Sequence, residues 1–122
     1  MSGQVLVTKA VNALIGDASS RIGGPVEQAV ERVRRREGGL WVGGRATLTD
    51  CELQFAANGL NRAAQDGTLD IRVDLDQIQQ VEVRPGLITN IVEVHGPEGL
   101  LKLRCFGATR FAQSIREAIA AR

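Results

Sequence analysis

The sequence predicts a mainly β domain of the α+β class, with about six antiparallel strands preceded by two short N-terminal helices and followed by a C-terminal helix. Three observations give this prediction. Apolar residues recur with a period of two between positions 46 and 105, which is typical of half-buried strands. They recur with helical spacing before residue 37, and again from 109 to 121. The 122 residues are enough for one domain with a single core.

The first third of the chain carries two amphipathic patterns that predict helices. One covers residues 4–15, and the other covers residues 25–36, where Pro25 suits a first helical turn. Gly38 and Gly39 end the second pattern. The larger apolar residues of the two stripes are Val7, Val11, Leu14, Ile15, Val26, Val30 and Val33.

The segment GGRATLTDCELQFAANG predicts a β-hairpin. Its apolar residues alternate with polar ones, and the alternation shifts by one position just after Thr49. If the chain makes a tight turn there, Leu48 faces Leu53. The same turn makes Ala46 face Phe55, so all four apolar side chains lie on one face of the pair.

Further alternation predicts the rest of the sheet. The predicted strands are 69–75, 80–84, 87–95 and 100–105. The last two flank the turn sequence GPEG and form a second hairpin. In that hairpin Val94 faces Leu101 and Val92 faces Leu103.

The last segment, residues 109–121, predicts an amphipathic helix. Its apolar face consists of Phe111, Ile115, Ala118 and Ile119. Thr109 is in the position of an N-cap, because a threonine hydroxyl can accept a hydrogen bond from the first helical turn. We expect the apolar face to cover one end of the sheet.

These segments together resemble the GRAM and bacterial pleckstrin-homology-like (PH-like) family. The residues that carry the resemblance are Leu48, Thr49, Leu53, Phe55, the stretch DLDQIQQVEV, Gly99 and the terminal helix. It implies a PH-like domain over 38–122, built as a strongly bent antiparallel sheet or partly open barrel and capped by the C-terminal helix. Residues 1–37 would then be an N-terminal helical extension. Such folds have seven strands, and residues 40–42 are the candidate for the seventh.

Few side chains suggest chemistry. His95 lies beside the GPEG turn, and the two cysteines, Cys51 and Cys105, do not form a CxxC motif. Asp70 and Asp74 share the outer face of a strand but lack the glycine and distal glutamate of a calcium loop. We therefore expect a non-enzymatic protein with no catalytic residues, no metal site and no cofactor. The thiols are expected to be reduced, unless the fold brings them together.

Charge is distributed unevenly along the chain. The formal net charge is +1, but residues 1–36 hold six cations against three acids. Four of the cations, Arg32, Arg34, Arg35 and Arg36, lie at the end of the second predicted helix. The aromatic content of 3% offers no stacking surface for nucleic acid, so we expect no nucleic-acid partner.

Two functions remain open from the sequence. The first is a binding or scaffold module that acts by protein–protein interaction and self-associates through the two apolar stripes. The second is peripheral attachment to anionic lipids through the basic N-terminal segment. In the wider superfamily the first hairpin supplies a basic cluster for phosphoinositides, whereas the hairpin predicted here has only Arg45, with Asp50 and Glu52 in its turn.

The expected localisation is cytoplasmic, with a peripheral position at the inner membrane face under the second function. The N-terminal sequence does not have the pattern of a signal peptide, and no apolar run has the length of a membrane span. Arginine is strongly preferred over lysine, a bias typical of GC-rich bacterial genomes.

Overall fold

A computed structural model describes residues 3–15, 39–59, 70–97 and 99–122, together with the backbone of 19–20 and 65–66. Its strands are β1 (Val5–Ile15), β2 (Ser19–Ser20), β3 (Leu40–Thr49), β4 (Glu52–Ala57), β5 (Gln65–Asp66), β6 (Asp70–Asp74), β7 (Gln80–Arg84), β8 (Asn90–Gly96) and β9 (Gly99–Cys105). A 3₁₀ turn at Leu75–Gln77 follows β6, and a C-terminal helix, α1, covers Ala108–Ala120.

Seven of these strands form one antiparallel sheet in the order β6-β4-β3-β1-β9-β8-β7, and β2 pairs separately with β5. The sheet therefore consists of two meanders, β3-β4-β6 and β7-β8-β9, joined through β1. The core lies on one face, where buried side chains of the strands and of α1 form a single cluster. Such packing buries the apolar half of each alternating strand.

The N-terminal part of the predicted fold class is wrong, because residues 5–15 form a strand instead of a helix. β1 pairs with β3 along its length and with β9 at Asn12 and Ala13. Its apolar residues fit both periods, and alternate residues Val11, Ala13 and Ile15 are buried on the core face. β3 supplies hydrogen-bond partners along β1, β9 supplies more near the C-terminal end of β1, and the β-branched residues of β1 suit a pleated surface. The second predicted helix, residues 25–36, lies outside the described residues.

β1 is also the strand that completes the set of seven. Residues 40–42, the predicted candidate, are instead the beginning of β3, which continues without a break through Gly43 and Gly44. The predicted domain boundary after residue 37 separates β1 from β3, although these two strands are hydrogen-bonded neighbours in the sheet. The segment expected to be a helical extension therefore contains an inner strand.

Both predicted hairpin registers are confirmed. In the first hairpin Leu48 pairs with Leu53 and Ala46 pairs with Phe55. In the second hairpin the partners are Val94 with Leu101 and Val92 with Leu103. All eight of these residues are buried, so the chain turns where the sequence shifts its alternation, and a slip of one residue would expose the apolar set.

The helix α1 packs its predicted face on the sheet. Phe111, Ala112, Ile115 and Ala118 are buried, and Ile119 packs at the margin of the core. Gly107 is the N-cap, in the left-handed region with φ of 65°, so the prediction of Thr109 is wrong. Arg116 Nη2 donates a hydrogen bond of 2.7 Å to the carbonyl oxygen of Val81, which ties the helix to β7. Among the described residues no helix has the length and apolarity to cross a membrane.

Candidate functional site

Three large apolar side chains are exposed near one end of the β8–β9 hairpin. Leu87 is 99% exposed, Ile88 is 85% exposed and Phe106 is 76% exposed. We call these three residues the loop-tip surface. A folded protein seldom leaves several large apolar side chains in water at one place unless another molecule covers them.

The loop between β7 and β8 is tight, and its geometry turns two of these residues outward. The backbone N–H of Gly86 donates to Asn90 Oδ1 at 3.4 Å, which closes the loop. A Cβ at residue 86 would collide with the carbonyl group of Thr89, so the close approach requires glycine. Leu87 and Ile88 occupy the tip of this closed loop and have no core to pack against.

Phe106 lies at the same end because β9 stops there. Asn90 and Cys105 are the pair of residues at this end of the β8–β9 ladder, so Phe106 follows directly after it. Gly107 then takes its left-handed conformation and redirects the chain into α1. Cys105 and Ala108, on either side of this turn, are buried, whereas the Phe106 side chain points into solvent.

Charges of both signs lie just below the loop. Arg84 Nε donates to Glu93 Oε1 at 3.1 Å, and Arg84 Nη2 donates to Glu82 Oε2 at 2.5 Å. Lys102 Nζ lies 3.8 Å from Glu93 Oε2. The hydrogen bond with Glu93 and the two carboxylate charges raise the pKa of the Arg84 guanidinium. The strands that carry the loop therefore present a mixed electrostatic surface.

A concave feature lies where Gly3 and Arg122 approach the β3–β4 turn. It is an open groove of about 530 Å³. The residues that line it are Gly3, Leu6, Asp50, Cys51, Ala118, Ala121 and Arg122. Most of its surface is apolar, and Leu6 is about half exposed at its side.

The turn beside this groove is held by one buried hydroxyl. Thr49 Oγ1 accepts hydrogen bonds from the backbone N–H groups of Cys51 and Glu52, at 3.2 and 2.9 Å. Asp50 then exchanges two hydrogen bonds with Gln4, because its backbone N–H donates to the Gln4 carbonyl and its Oδ1 accepts from the Gln4 N–H. The turn is therefore fixed by both its own hydroxyl and the start of the chain.

The C-terminal residue closes the groove from the other side. Arg122 makes a bidentate contact with Asp76, at 2.7 and 2.9 Å, and Nη1 donates to the carbonyl oxygen of Asp50 at 2.9 Å. The hydrogen bond from Arg122 holds the pKa of the Asp76 carboxyl below its ordinary value of 3.8. Arg122 thus links the end of α1 to the 3₁₀ turn and to the β3–β4 turn.

We expect the contribution of Asp76 to stability to disappear in acid. Because the folded pKa lies below the unfolded value, the carboxylate stabilises the folded state above 3.8, and this contribution is lost as the pH falls through the lowered pKa. Urea unfolding should therefore show Asp76→Asn slightly less stable than the unchanged protein at neutral pH, and equally stable well below pH 3.8. Asp74→Asn, whose carboxylate makes no capping hydrogen bond, is the control. A difference that persists undiminished in strong acid would contradict the ion pair.

The predicted interaction residues are divided between core and margin. Val11 and Ile15 are buried in the sheet, so a partner cannot reach them in the folded protein, whereas Val7 and Leu14 are half-buried. Leu14 pairs with Trp41 on the outer face, where the Arg104 guanidinium lies 4.5 Å from the indole centroid. The remaining predicted residues, Val26, Val30, Val33, Arg32, Arg34, Arg35 and Arg36, lie outside the described residues.

The residues considered for chemistry are also placed. Cys51 and Cys105 are free thiols, and burial raises the pKa of Cys105. His95 is half-buried on β8, close to the predicted turn, with Nε2 at 3.9 Å from Glu82 Oε2. That nitrogen is excluded from solvent and has no hydrogen-bond partner. A histidine beside a turn is usually solvated, so the sequence gave no sign of this environment.

Comparison with known proteins identifies the fold. The chain is similar to a solved structure described as the Vps36 N-terminal PH domain, with 12% sequence identity and a TM-score of 0.59. The alignment covers 97% of this chain and 80% of that one. The chain has a PH-like fold. No protein-family model matches the sequence, and no curated protein matches it. The narrower resemblance to the GRAM and bacterial branch therefore stays a prediction.

Sequence reasoning missed the loop-tip surface. Leu87 and Ile88 were included in the predicted strand 87–95, although β8 begins only at Asn90. The sequence does contain an indication of where the strand begins. Val92 and Val94 point to the core, and Asn90, which alternation would place on the same face, is polar. That asparagine marks the end of the buried face, and the apolar residues before it lie beyond the sheet.

Proposed function

We propose that the protein is a non-enzymatic PH-like binding module that acts by protein–protein interaction, and that its partner at the loop-tip surface is a second copy of the chain. The observation that carries this proposal is the exposure of Leu87, Ile88 and Phe106 together at one end of the sheet. The likeness to a PH domain supports a compact scaffold that presents loops. This surface replaces the N-terminal stripe of the sequence prediction, whose Val11 and Ile15 are in the core.

The apolar character of the loop supports burial against protein. Covering a fully exposed leucine or isoleucine contributes about 1.5–3 kcal/mol per side chain. The tight closure between Gly86 and Asn90 fixes the loop before binding, so little conformational entropy is lost when a partner covers it. The loop is therefore suited to a contact surface.

The charges favour a second copy as the partner. Arg84 lies beside Glu82 and Glu93, so the strands below the surface carry both signs. In a two-fold contact the same surface meets itself, and a mixed surface can place opposite charges against each other. The net charge of +1 adds little repulsion between two copies.

Light scattering coupled to size-exclusion chromatography tests this proposal. We expect the mass of the protein to rise with concentration toward a dimer, and the double variant Leu87→Ser/Ile88→Ser to remain monomeric. The matched control is Val5→Ser/Leu6→Ser, which removes two apolar side chains that are about half exposed at the start of β1. A monomeric mass for the unchanged protein at every concentration, or loss of the dimer in the control alone, would contradict the proposal.

A second candidate function is attachment to anionic membranes. The basic run of Arg32, Arg34, Arg35 and Arg36 belongs to the connection between β1 and β3, which are neighbours in the sheet. Arg45, the one cation that the sequence prediction counted in the β3–β4 hairpin, lies on β3, the strand that this connection leads into. Each cation near an anionic bilayer contributes about 1 kcal/mol, and a peripheral position at the inner membrane face would follow.

Sedimentation with anionic vesicles separates the two functions. If the membrane candidate holds, the unchanged protein sediments with phosphatidylserine vesicles at low salt and is released at high salt, because screening weakens the attraction. Replacing the four arginines with glutamine should abolish this binding and leave the light-scattering mass unchanged. Absence of binding at low salt would leave only the protein–protein function.

A further inference from the structure

We propose that Glu82, Glu93 and His95, on the solvent-facing side of β7 and β8, form a binding site for a divalent transition cation of the Zn²⁺ type. This inference goes beyond the proposed function, although Glu82 and Glu93 also belong to the charged surface below the loop. One ligand atom from each of the three residues lies within 4.8 Å of the others. The sequence did not indicate such a site, because Glu82 and Glu93 are separated along the chain by the loop that joins the two strands.

The sheet register brings the three side chains together. Glu82 pairs directly with Glu93, and His95 follows two residues later on the same face of β8. The opposite face carries Val81, Val92 and Val94, which are buried in the core and hold both strands in place. Two carboxylates directly opposite each other on neighbouring strands repel, which a cation between them would relieve.

The imidazole provides an observation that is separate from the two acids. His95 Nε2 is excluded from solvent and lacks a hydrogen-bond partner, although Glu82 Oε2 is only 3.9 Å away. A buried polar atom without a partner is uncommon and carries an energetic cost. A cation between this nitrogen and the carboxylates would satisfy the nitrogen lone pair. The ring is partly exposed elsewhere, so an ion can approach from solvent.

Two basic side chains contact the carboxylates. Arg84 bridges Glu82 and Glu93, and Lys102 lies 3.8 Å from Glu93. Gln80 Nε2 also donates a hydrogen bond to Glu82 Oε1. Arg84 is about three-fifths exposed, so its guanidinium can rotate into solvent when the cation enters. Arg84 is therefore a competitor for the site, and its removal should strengthen cation binding.

The donor set selects the class of cation. Ca²⁺ and Mg²⁺ prefer ligands that are all oxygen, whereas an imidazole nitrogen with carboxylate oxygens suits Zn²⁺ and its neighbours in the transition series. Three protein ligands leave at least one position for water or another ligand. We therefore expect binding of Zn²⁺ and of Co²⁺, and much weaker binding of Mg²⁺.

Calorimetric titration of the tag-free full chain with Zn²⁺ tests the site. The experiment uses a Cys51→Ser background, because the half-exposed Cys51 thiol is an alternative zinc ligand. We expect one Zn²⁺ per chain, and at least about tenfold weaker binding in His95→Gln and in Glu93→Gln, since even an outer-shell partner of a metal is worth that factor. Arg84→Gln should bind Zn²⁺ severalfold more tightly.

A control and a second readout make the result decisive. Arg72→Gln removes the same charge from a cross-strand ion pair with Glu52, away from the cluster, and should leave Zn²⁺ affinity unchanged. Because His95 is the sole histidine of the chain, its imidazole nitrogens give a single set of NMR signals, and Zn²⁺ should shift Nε2 and fix the ring proton on Nδ1. Equal Zn²⁺ affinity in the unchanged protein and in His95→Gln, an unmoved Nε2 signal, or no gain in Arg84→Gln would overturn the site.

Discussion

Replacing Phe111 by alanine should destabilise the protein by about 3–5 kcal/mol, the usual cost of removing a phenylalanine from a packed core. Phe111 is 2% exposed and lies in the first turn of α1. Its ring packs within the cluster that includes Phe55 and Val92, so truncation leaves a cavity between helix and sheet. Because domains of this size are stable by only about 5–15 kcal/mol, a large fraction of the protein should be lost to unfolding at moderate temperature.

Urea unfolding followed by circular dichroism measures this effect. Gln113→Ala is the matched control, because Gln113 lies on the exposed face of the same helix and contributes a hydrogen bond of 3.3 Å to Glu117. Its effect should stay within about 0.5 kcal/mol, as is usual for surface substitutions. A cost below about 1 kcal/mol for Phe111→Ala would mean that the helix does not complete the core, and the packing described for α1 would have to be abandoned.

The meanders and the terminal helix could be predicted because their apolar residues fit a single period, about two residues in the strands and about 3.6 residues in the helix. In the first hairpin, a tight turn that places Leu48 opposite Leu53 puts all four apolar side chains on one face, and a slip of one residue would not. The same reasoning gave Val92 opposite Leu103 and the apolar face of α1. Where alternation is strict, a shift of one residue would move the whole apolar set into water, so the pattern alone determines the pairing.

β1 could not be predicted in this way because its sequence satisfies two periods. Val7, Val11, Leu14 and Ile15 fit a helix, while the alternate residues from Val11 to Ile15 fit a strand. Lys9 interrupts the alternation of apolar residues on the core face. Ala10 and Ala13 are compatible with a helix as well as with a strand, so they do not decide between the two. The choice was decided by the open edges of β3 and β9, which offer hydrogen-bond partners to a strand between them. That information lies in the tertiary structure.

The candidate sites were predictable to a smaller degree. The loop-tip surface left a local signal at Asn90, but the sequence does not say that Phe106 emerges at the same end. The three-residue cation cluster depends on the pairing of Glu82 with Glu93, and hence on the register of β7 against β8. A polar face of a strand is usually only solvated, so no single residue there distinguishes a site from an ordinary surface.

Gly44→Ala should be the second substitution with a large effect, although it adds a single methyl group. Gly44 lies in the middle of β3, opposite Val11 of β1 and Ala57 of β4. A Cβ at this position would lie 2.8 Å from the Ala57 Cα and 2.9 Å from the carbonyl carbon of Ala56, and closer still to the Ala56 oxygen. These are backbone atoms, so no side-chain rotation relieves the contact. We expect a loss of about 1–3 kcal/mol, the range for overpacking in a core, and a larger loss for Gly44→Val.

Gly59→Ala provides the matched control, because a Cβ there has no atom within 4 Å. It should leave stability unchanged or raise it by up to about 1 kcal/mol, since alanine restricts the unfolded chain. The pair separates two explanations for the glycines of β3. If β3 ended before Gly44 and residues 40–42 formed a separate seventh strand, both substitutions would have similar effects on the urea midpoint. A selective loss in Gly44→Ala means that β3 is continuous and that its close approach to β4 needs a residue without a side chain.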